Sequence, residues 1–514
     1  MTTEDSPLQK ACLRWSNRIL IFSALGIAYL TLFPFEIRLL SPHAFHGSPF
    51  FLGESSKSLR SLDFFLNVLL FVPFGFGLSA QVAKRGGRRS TSFLLALALG
   101  AGVSYLVELL QLYIPGRDSG WEDVISNATG SVAGCFLFLL CGRAILEKLS
   151  SVADLFERWI SPRRTALLLA IYFAACLGIT VPLQRNTRLS NWDPQCVLVV
   201  GNDAAGENPW TGQVSLLQIW NRALPDGAIR SISRQESEKE RAAGPLVSYD
   251  LTGAPPYRDQ KHYLPALAAT PERMHFSSAA APELGAKSWL RTSLPVENLT
   301  GEIKKSNQFT VHVICAPAST ENATGRIVSL SQSVDNVNFH LRQEGTTLVV
   351  WIRNPLSETH SVLAWNVRGA LEPGKTRDIV ATYDGSDAFL YLDGNRVRRV
   401  YRLSPGASLI HGFFLIKTAD LGGYVLLFET LIFLPAGLLI GLQVGNWPGQ
   451  KIAGLSMLVF GLLLPAILLE VLEVGVSGRR VWFGNIAMSV VFGLAGVALM
   501  KADVRHVRNS RRAA

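Results

Sequence analysis

The chain has 514 residues, of which 48% are apolar and only 17% charged, whereas an average soluble domain carries roughly 25% charge. Its formal charge of +10 resides largely in basic clusters beside apolar runs, so it is a topological signal and gives no support to a nucleic-acid partner. A wholly soluble chain is excluded, because the apolar residues gather into long runs near the two ends.

Four runs of membrane-spanning length come first, at Ile19 to Phe35, Leu62 to Ala80, Phe93 to Ile114 and Trp121 to Leu140; roughly 20 apolar residues cross a bilayer core of about 30 Å. Four more follow at Leu167 to Leu183, Leu421 to Gly441, Ile452 to Leu472 and Val481 to Met500. The basic clusters lie at Lys10, Arg14 and Arg18, at Lys84 to Arg89, at Arg143 to Arg164 and at Lys501 to Arg512. With eight spans all four fall on one side, which the positive-inside rule makes cytoplasmic, together with both termini. The first span lacks a small-residue cleavage pattern and reads as an anchor.

The first group carries polar pairs at helical spacing: Asp63 and Asn67, Glu108 and Gln111, Asp123 and Asn127. Three or four residues apart, each pair shares a helix face, and the alternating topology brings all three to one end, beside Arg117 in the short "YIPGRDSG" connection. Ionisable groups at membrane depth must be paired or face a polar cavity. Two readings follow. In the structural one Arg117 neutralises Glu108 or Asp123, and Asn67, Gln111 and Asn127 tie helices together. In the functional one the group is a polar site open to the outer leaflet, where Arg117 holds a phosphate or carboxylate in a bidentate fork or Glu108 moves a proton.

Between Pro182 and His411 the long runs vanish and short alternating stretches appear, among them "CVLVVGND", "QVSLLQIW", "QFTVHVICA", "GRIVSLS", "TLVVWIR" and "AFLYLDG". Period-two stretches between turn residues predict strands of an antiparallel sandwich, placed outside the cytoplasm by the topology. No predicted strand presents two carboxylates on one face as a glycosidase requires, and Asp384, Asp387 and Asp393 sit at turns, where they either serve backbone geometry or contact calcium or a glycan. Asn202, Asp203 and Asn208 either build their loop or supply oxygens to calcium. Trp210, Trp220, Trp351 and Trp365 are either core residues or stacking surfaces for sugar rings, Trp210 being the best placed for a ligand because its surroundings are rich in Gly and Asn. Cys196 and Cys315 are the two cysteines of this region, and an oxidising compartment permits a bridge between them.

The second group echoes the first. At a constant offset of 362 positions Phe71, Pro73, Gly75, Glu108, Gly116, Arg117 and Gly134 meet Phe433, Pro435, Gly437, Glu470, Gly478, Arg479 and Gly496. In the same register Glu429 stands at the place of Asn67, Glu473 at Gln111, Asn485 at Asp123 and Ser489 at Asn127. The expected architecture is a membrane bundle of eight spans in two four-helix repeats with an inserted all-β sandwich. Its segments are 1–18, a cytoplasmic stretch; 19–141, the first repeat; 142–164, a connector; 165–185, the first span of the second repeat; 186–412, the sandwich; 413–501, the remaining spans; and 502–514, a basic tail.

Two resemblances rest on these segments. "RDIVATYDGSDAFLYLDGNRV" and "VLVVGNDAAGENPWTGQVSLLQIWNRAL" resemble the paired central and closing strands of the LamG-like, concanavalin A-like lectin/glucanase family. The closing strands come first here, so the resemblance implies a circularly permuted jelly-roll. That resemblance implies recognition of carbohydrate or protein, in some members through calcium; some related folds are glycanases. "LDFFLNVLLFVPFGFGL" and "VELLQLYIPGRDSGWEDVISNATGSVAG" resemble the VanZ-like membrane family, associated with glycopeptide resistance and reduced teicoplanin sensitivity, whose biochemical activity is not established. It implies a bacterial envelope protein and marks Asp63, Asn67, Phe71, Pro73, Gly75, Glu108, Gln111, Arg117, Asp123, Asn127 and Gly130. The expected function is an outward-facing site for an anionic envelope amphiphile, with a scaffold, a membrane enzyme and a transporter as alternatives. Expected partners are membrane lipids, a cell-wall or exopolysaccharide glycan, a lipid-linked precursor or an envelope protein; no cofactor is evident apart from calcium in the sandwich.

Overall fold

The computed structural model describes residues 7–32, 61–114, 120–234, 244–253, 255–270, 281–321, 323–357, 364–398, 400–413, 422–446 and 451–513. Contacts divide the chain into two compact units, one of Met1–Leu167, Gly445–Trp447 and Met500–Ala514, the other of Leu168–Val444 and Pro448–Leu499. Among the described residues eight helices are long and apolar enough to cross a membrane.

In the first unit α1 (Pro7–Leu32), α2 (Ser61–Lys84), α3 (Arg89–Gln111) and α4 (Trp121–Trp159) pack side by side. Lipid offers helices no hydrophobic reason to associate, so close backbone approach and interhelical hydrogen bonds must hold them. Both are present. A Cβ on Gly75 would collide with the Ser131 carbonyl oxygen, and one on Gly134 with that of Val72, so α2 and α4 meet backbone to backbone. Ser131 Oγ donates to Ala96 O at 2.8 Å, Ser16 Oγ to Gln81 Oε1 at 2.8 Å and Gln111 Nε2 to Thr31 O at 2.8 Å, tying α4 to α3, α1 to α2 and α3 to α1.

The second unit begins with α5 (Pro162–Arg185), whose first residues belong to the preceding unit. The sandwich follows as β1 (Val197–Val200), β2 (Gly212–Trp220), α6 (Asp226–Ser233), β3 (Val247–Asp250), β4 (Leu267–Thr270), β5 (Glu283–Leu284), β6 (Trp289–Thr292), α7 (Glu297–Ser306), β7 (Phe309–Pro317), β8 (Thr324–Ser331), β9 (Val337–Glu344), β10 (Thr347–Ile352), β11 (Trp365–Val367), β12 (Arg377–Tyr383), β13 (Asp387–Leu392), β14 (Asn395–Arg396) and β15 (Tyr401–Arg402). After α8 (Pro405–Phe413) come α9 (Gly422–Asn446), α10 (Lys451–Leu458), α11 (Leu464–Ser477) and α12 (Phe483–Ala513). A π-helical turn at Val459–Leu463 joins α10 to α11 into one span. Pro465 explains it: a proline ring collides with the carbonyl four residues back, and a wider turn relieves the clash.

The strands form two antiparallel sheets, in the orders β11-β10-β9-β8-β1-β6-β4 and β14-β13-β12-β7-β2-β3, with β15 on β13 and β5 on β2. Phe309 on β7 crosses between them, its ring 5.2 Å from Phe339 on β9 and 5.3 Å from Trp192. Each alternating stretch quoted from the sequence is a strand. Apart from β1, the two- to four-residue strands carry too little periodicity to be read, and the hairpin turn at Asp393 and Gly394 has both residues at positive φ, as its Asp-Gly sequence favours.

In this unit α5 packs with the three helices that follow the sandwich. Leu169 and Phe173 share a buried cluster with Phe433 and Ile440 of α9, Ala466 and Leu469 of α11 and Val497 of α12. Here too a Cβ on Gly437 would meet the Gly493 carbonyl oxygen, and one on Gly496 that of Leu434. These two contacts repeat Gly75 on Ser131 and Gly134 on Val72 with every residue displaced by 362 positions.

The sandwich is fastened to the end of α11. A helix leaves its last carbonyls without intrahelical donors, and three of the unit's side chains supply them. Arg188 Nη1 donates to Val476 O at 2.7 Å, Asn307 Nδ2 to Ser477 O at 2.5 Å and Gln308 Nε2 to Gly478 O at 2.7 Å. Gly385, at φ 107°, lies so close that any side chain would strike the Ser477 carbonyl.

Gly437→Val is therefore expected to destabilise the protein by at least about 1–3 kcal/mol through overpacking, read as a lowered unfolding transition in detergent. Gly26→Ala, where a Cβ meets nothing within 4 Å, is expected to leave that transition unchanged or raise it.

Candidate functional site

The sandwich residues singled out in the sequence mostly serve the fold. Trp210 is 1% exposed, and its Nε1 donates to Gln343 Oε1 at 2.6 Å. It cannot stack on a sugar as it stands, which corrects the ligand reading. Trp220, Trp351 and Trp365 are buried as well. The Asn202 and Asp203 side chains hold their own loop. Asn202 Oδ1 accepts from the backbone of Asp203 and Asn208, and Asp203 accepts from the backbone of Gly206 and Glu207 and from Asn208 Nδ2. Arg326 lies 3.4 Å from the same carboxylate. The bridge between Cys196 and Cys315 is corrected too: both are free buried thiols. Cys196 precedes β1 of one sheet while Cys315 lies on β7 of the other, and burial pushes each thiol up to about 12.

In the first helical group Asn67 Nδ2 donates to Asp123 Oδ1 at 2.7 Å, and Glu108, 2% exposed, accepts from Gly120 N at 3.0 Å. Asn127 Nδ2 donates to Ser104 Oγ at 2.8 Å, while its Oδ1 is buried without a partner. These pairings join α2 to α4, and α3 to α4 and the residue before it. Arg117 and the Asp63 side chain lie outside the described residues.

The second group shows the charge pattern in full. Arg479 follows Gly478, whose left-handed conformation (φ 80°) ends α11. Its two terminal nitrogens donate to both oxygens of Glu470 at 2.7 Å, and Nη2 also donates to Glu473 at 2.8 Å. All three side chains are buried. Both carboxylates hold Arg479 charged, which keeps its guanidinium above the usual arginine range against the cost of burial. Glu470 also accepts from Trp482 N at 2.6 Å and from Asn485 Nδ2 at 2.9 Å. The contact from Gly120 N to Glu108 is thus repeated, at the same displacement of 362, by that from Trp482 N to Glu470. Glu429 is 2% exposed and receives the Ser489 hydroxyl at 2.6 Å.

Between these helix ends and the sandwich lies a cavity of about 280 Å³. Glu429, Glu473, Arg479 and Asn485 line it from the helical side; Asp384, Asp387, Arg402 and Tyr391 line it from the sheet containing β13. Arg402 binds both oxygens of Asp387 at 2.9–3.1 Å and lies 3.9 Å above the Trp482 ring. Asp384 accepts from the backbone of Ser386 and Asp387. Burial, and then the neighbouring Asp387 carboxylate, push it up to about 6. Asp384 and Asp387 were legible as turn residues, but nothing in sequence joined them to Glu429 or Glu473, some forty to ninety positions on. Among the described residues no three His, Cys, Asp or Glu side chains gather as metal ligands.

The VanZ/LLP1 family matches residues 20–142, the stretch that holds the first helical group. No curated protein and no solved structure matches the chain. Together with the eight helices, the match makes this a multi-spanning membrane protein whose N-terminal region is VanZ-like.

Two outcomes test the site. Arg479→Gln strands two buried carboxylates and is expected to cost about 3–5 kcal/mol in denaturant unfolding, whereas Arg480→Gln, exposed on the same turn, leaves the midpoint where it is. The second concerns pH. With its native pKa raised above the ordinary 3.8 to about 6, Asp384 binds more proton folded than unfolded across that window, so its contribution to stability falls as pH rises through it and is flat above. Asp384→Asn is expected to flatten that portion of the pH profile of the melting temperature.

Proposed function

We propose that this is a multi-pass protein of the bacterial cytoplasmic membrane, with both termini cytoplasmic and the sandwich outside, whose cavity receives the polar head group of an envelope amphiphile. The cavity itself carries the reading: it is lined jointly by membrane-spanning helices and by the sandwich, where a head group would lie while its chains stay among lipids. Its apolar walls, Phe389, Phe428 and Trp482 among them, suit a ligand that is not purely ionic.

The two helical groups are assigned to a duplicated VanZ-like unit. Support comes from the four glycine contacts and the two backbone-to-glutamate bonds that recur at one displacement. The sandwich is assigned to recognition, in the manner of LamG-like domains, of a glycan or an envelope protein, with calcium as an open requirement. Binding is preferred to transport, since the polar residues gather at one end of the spans; a membrane enzyme acting on a lipid-linked or glycan substrate is the remaining alternative. The scaffold alternative has one observation behind it: Arg479 spends its fork on Glu470 and Glu473, so that part of the network acts as a structural tie.

Orientation is tested by cysteine labelling in a cysteine-free background. Arg230→Cys is expected to react with a membrane-impermeant maleimide in intact cells, and Arg88→Cys only after permeabilisation; the reverse pattern would overturn the topology. A screen of the full-length protein against cell-wall and exopolysaccharide fragments, with and without calcium, is expected to show saturable binding without release of reducing ends.

A further inference from the structure

The hydrogen-bond account of the cavity is one-sided. Its enclosed guanidinium and amide donors are spent: Arg479 on Glu470 and Glu473, Arg402 on Asp387, and the Asn485 amide nitrogen on Glu470. Acceptors remain. Glu429 has one donor, Ser489, for a carboxylate 2% exposed that forms no ion pair among the described residues. Glu473 gives Arg479 only Oε2, and Asp384 uses only Oδ1. Independently of these carboxylates, Asn485 is 7% exposed and belongs to the cavity lining, and its Oδ1 is buried without a hydrogen-bond partner. A buried acceptor without a donor is costly, and a buried carboxylate without a cation more so. Three carboxylates and an amide oxygen from the two sides of one cavity thus ask for a cation with several N–H donors.

The mouth differs. Arg480 is exposed there and engages no side chain among the described residues. Beside it Trp482 and Phe483 are also exposed, as aromatic residues are where a helix meets the membrane surface.

We propose that the cavity binds a primary ammonium group, held by Glu429 with Glu473, Asp384 and the Asn485 amide oxygen, and that Arg480 receives the phosphate of the same zwitterionic ligand. An ammonium presents three donors in a compact head, which matches the acceptors left over; a quaternary amine presents none. This rests on the head-group reading and names its chemistry: a phosphoethanolamine unit, either as the head group of a lipid or as the free compound.

The test uses the full-length protein in detergent, titrated with phosphoethanolamine, phosphocholine, glycerol phosphate and ethanolamine, and with short-chain phosphatidylethanolamine and phosphatidylglycerol. Phosphoethanolamine is expected to bind at least about tenfold more tightly than phosphocholine or glycerol phosphate, a comparison that needs no variant. Glu429→Gln is expected to abolish that preference without lowering the melting temperature. Arg480→Gln is expected to weaken phosphoethanolamine severalfold while leaving ethanolamine unchanged. Tighter binding of the short-chain lipid than of phosphoethanolamine identifies the lipid as the source, and equal binding identifies the free compound; either supports the ammonium site. Preference for glycerol phosphate and phosphatidylglycerol, insensitive to Glu429→Gln, would overturn the ammonium site while sparing the head-group reading. Binding of none of the six compounds would overturn both.

Discussion

The guanidinium of Arg479 is the point on which the second unit turns. Seated just past the end of α11, it meets two carboxylates that the same helix presents three residues apart, Glu470 and Glu473, and it closes the reversal from α11 into α12 with help from the Trp482 amide on Glu470. A charge of that kind is tolerated away from water only when its partners are fixed. Fixing them sets the depth at which α11 ends and α12 begins, and with it the floor of the cavity.

The sandwich reaches this same turn by backbone recognition. Arg188, Asn307 and Gln308 give donors to carbonyls that α11 cannot satisfy for itself, while Gly385 lets the β12–β13 turn touch Ser477. The consequence is that Asp384 and Asp387, ordinary turn residues in the sandwich, are delivered to the rim of a helical bundle. Asp384 holds its proton more tightly because the same contact buries it beside Asp387. Fold and site are therefore one arrangement: the bonds that dock the sandwich also bring its carboxylates to the cavity.

Corresponding positions in the two helical groups have diverged where their chemistry differs. Asn67 and Asp123 form a pair in the first group; Glu429 and Asn485, at the same places in the second, face the cavity without bonding one another. The glycine contacts, in contrast, are kept at both. Close helix approach is a demand of the bilayer, common to both groups, whereas the polar positions answer to whatever lies beside them, and only the second group has a sandwich inserted in its chain.

Composition and periodicity determined a good deal. Apolar runs of bilayer length, alternating strands between turn residues, the displacement of 362 and the VanZ-like character of the first group were all legible, because each is a local pattern imposed by solvent or by backbone geometry. Glu470 and Arg479 were legible as the counterparts of Glu108 and Arg117 at that displacement. Tertiary structure decided the rest. Trp210, in a loop rich in Gly and Asn, is enclosed because β8 and β9 close over it; Cys196, just before β1, and Cys315, on β7, are both free thiols; and the cavity joins Asp384 to Glu473 across 89 positions of chain. Such meetings depend on how the elements close upon one another, and local spacing carries no record of that closure.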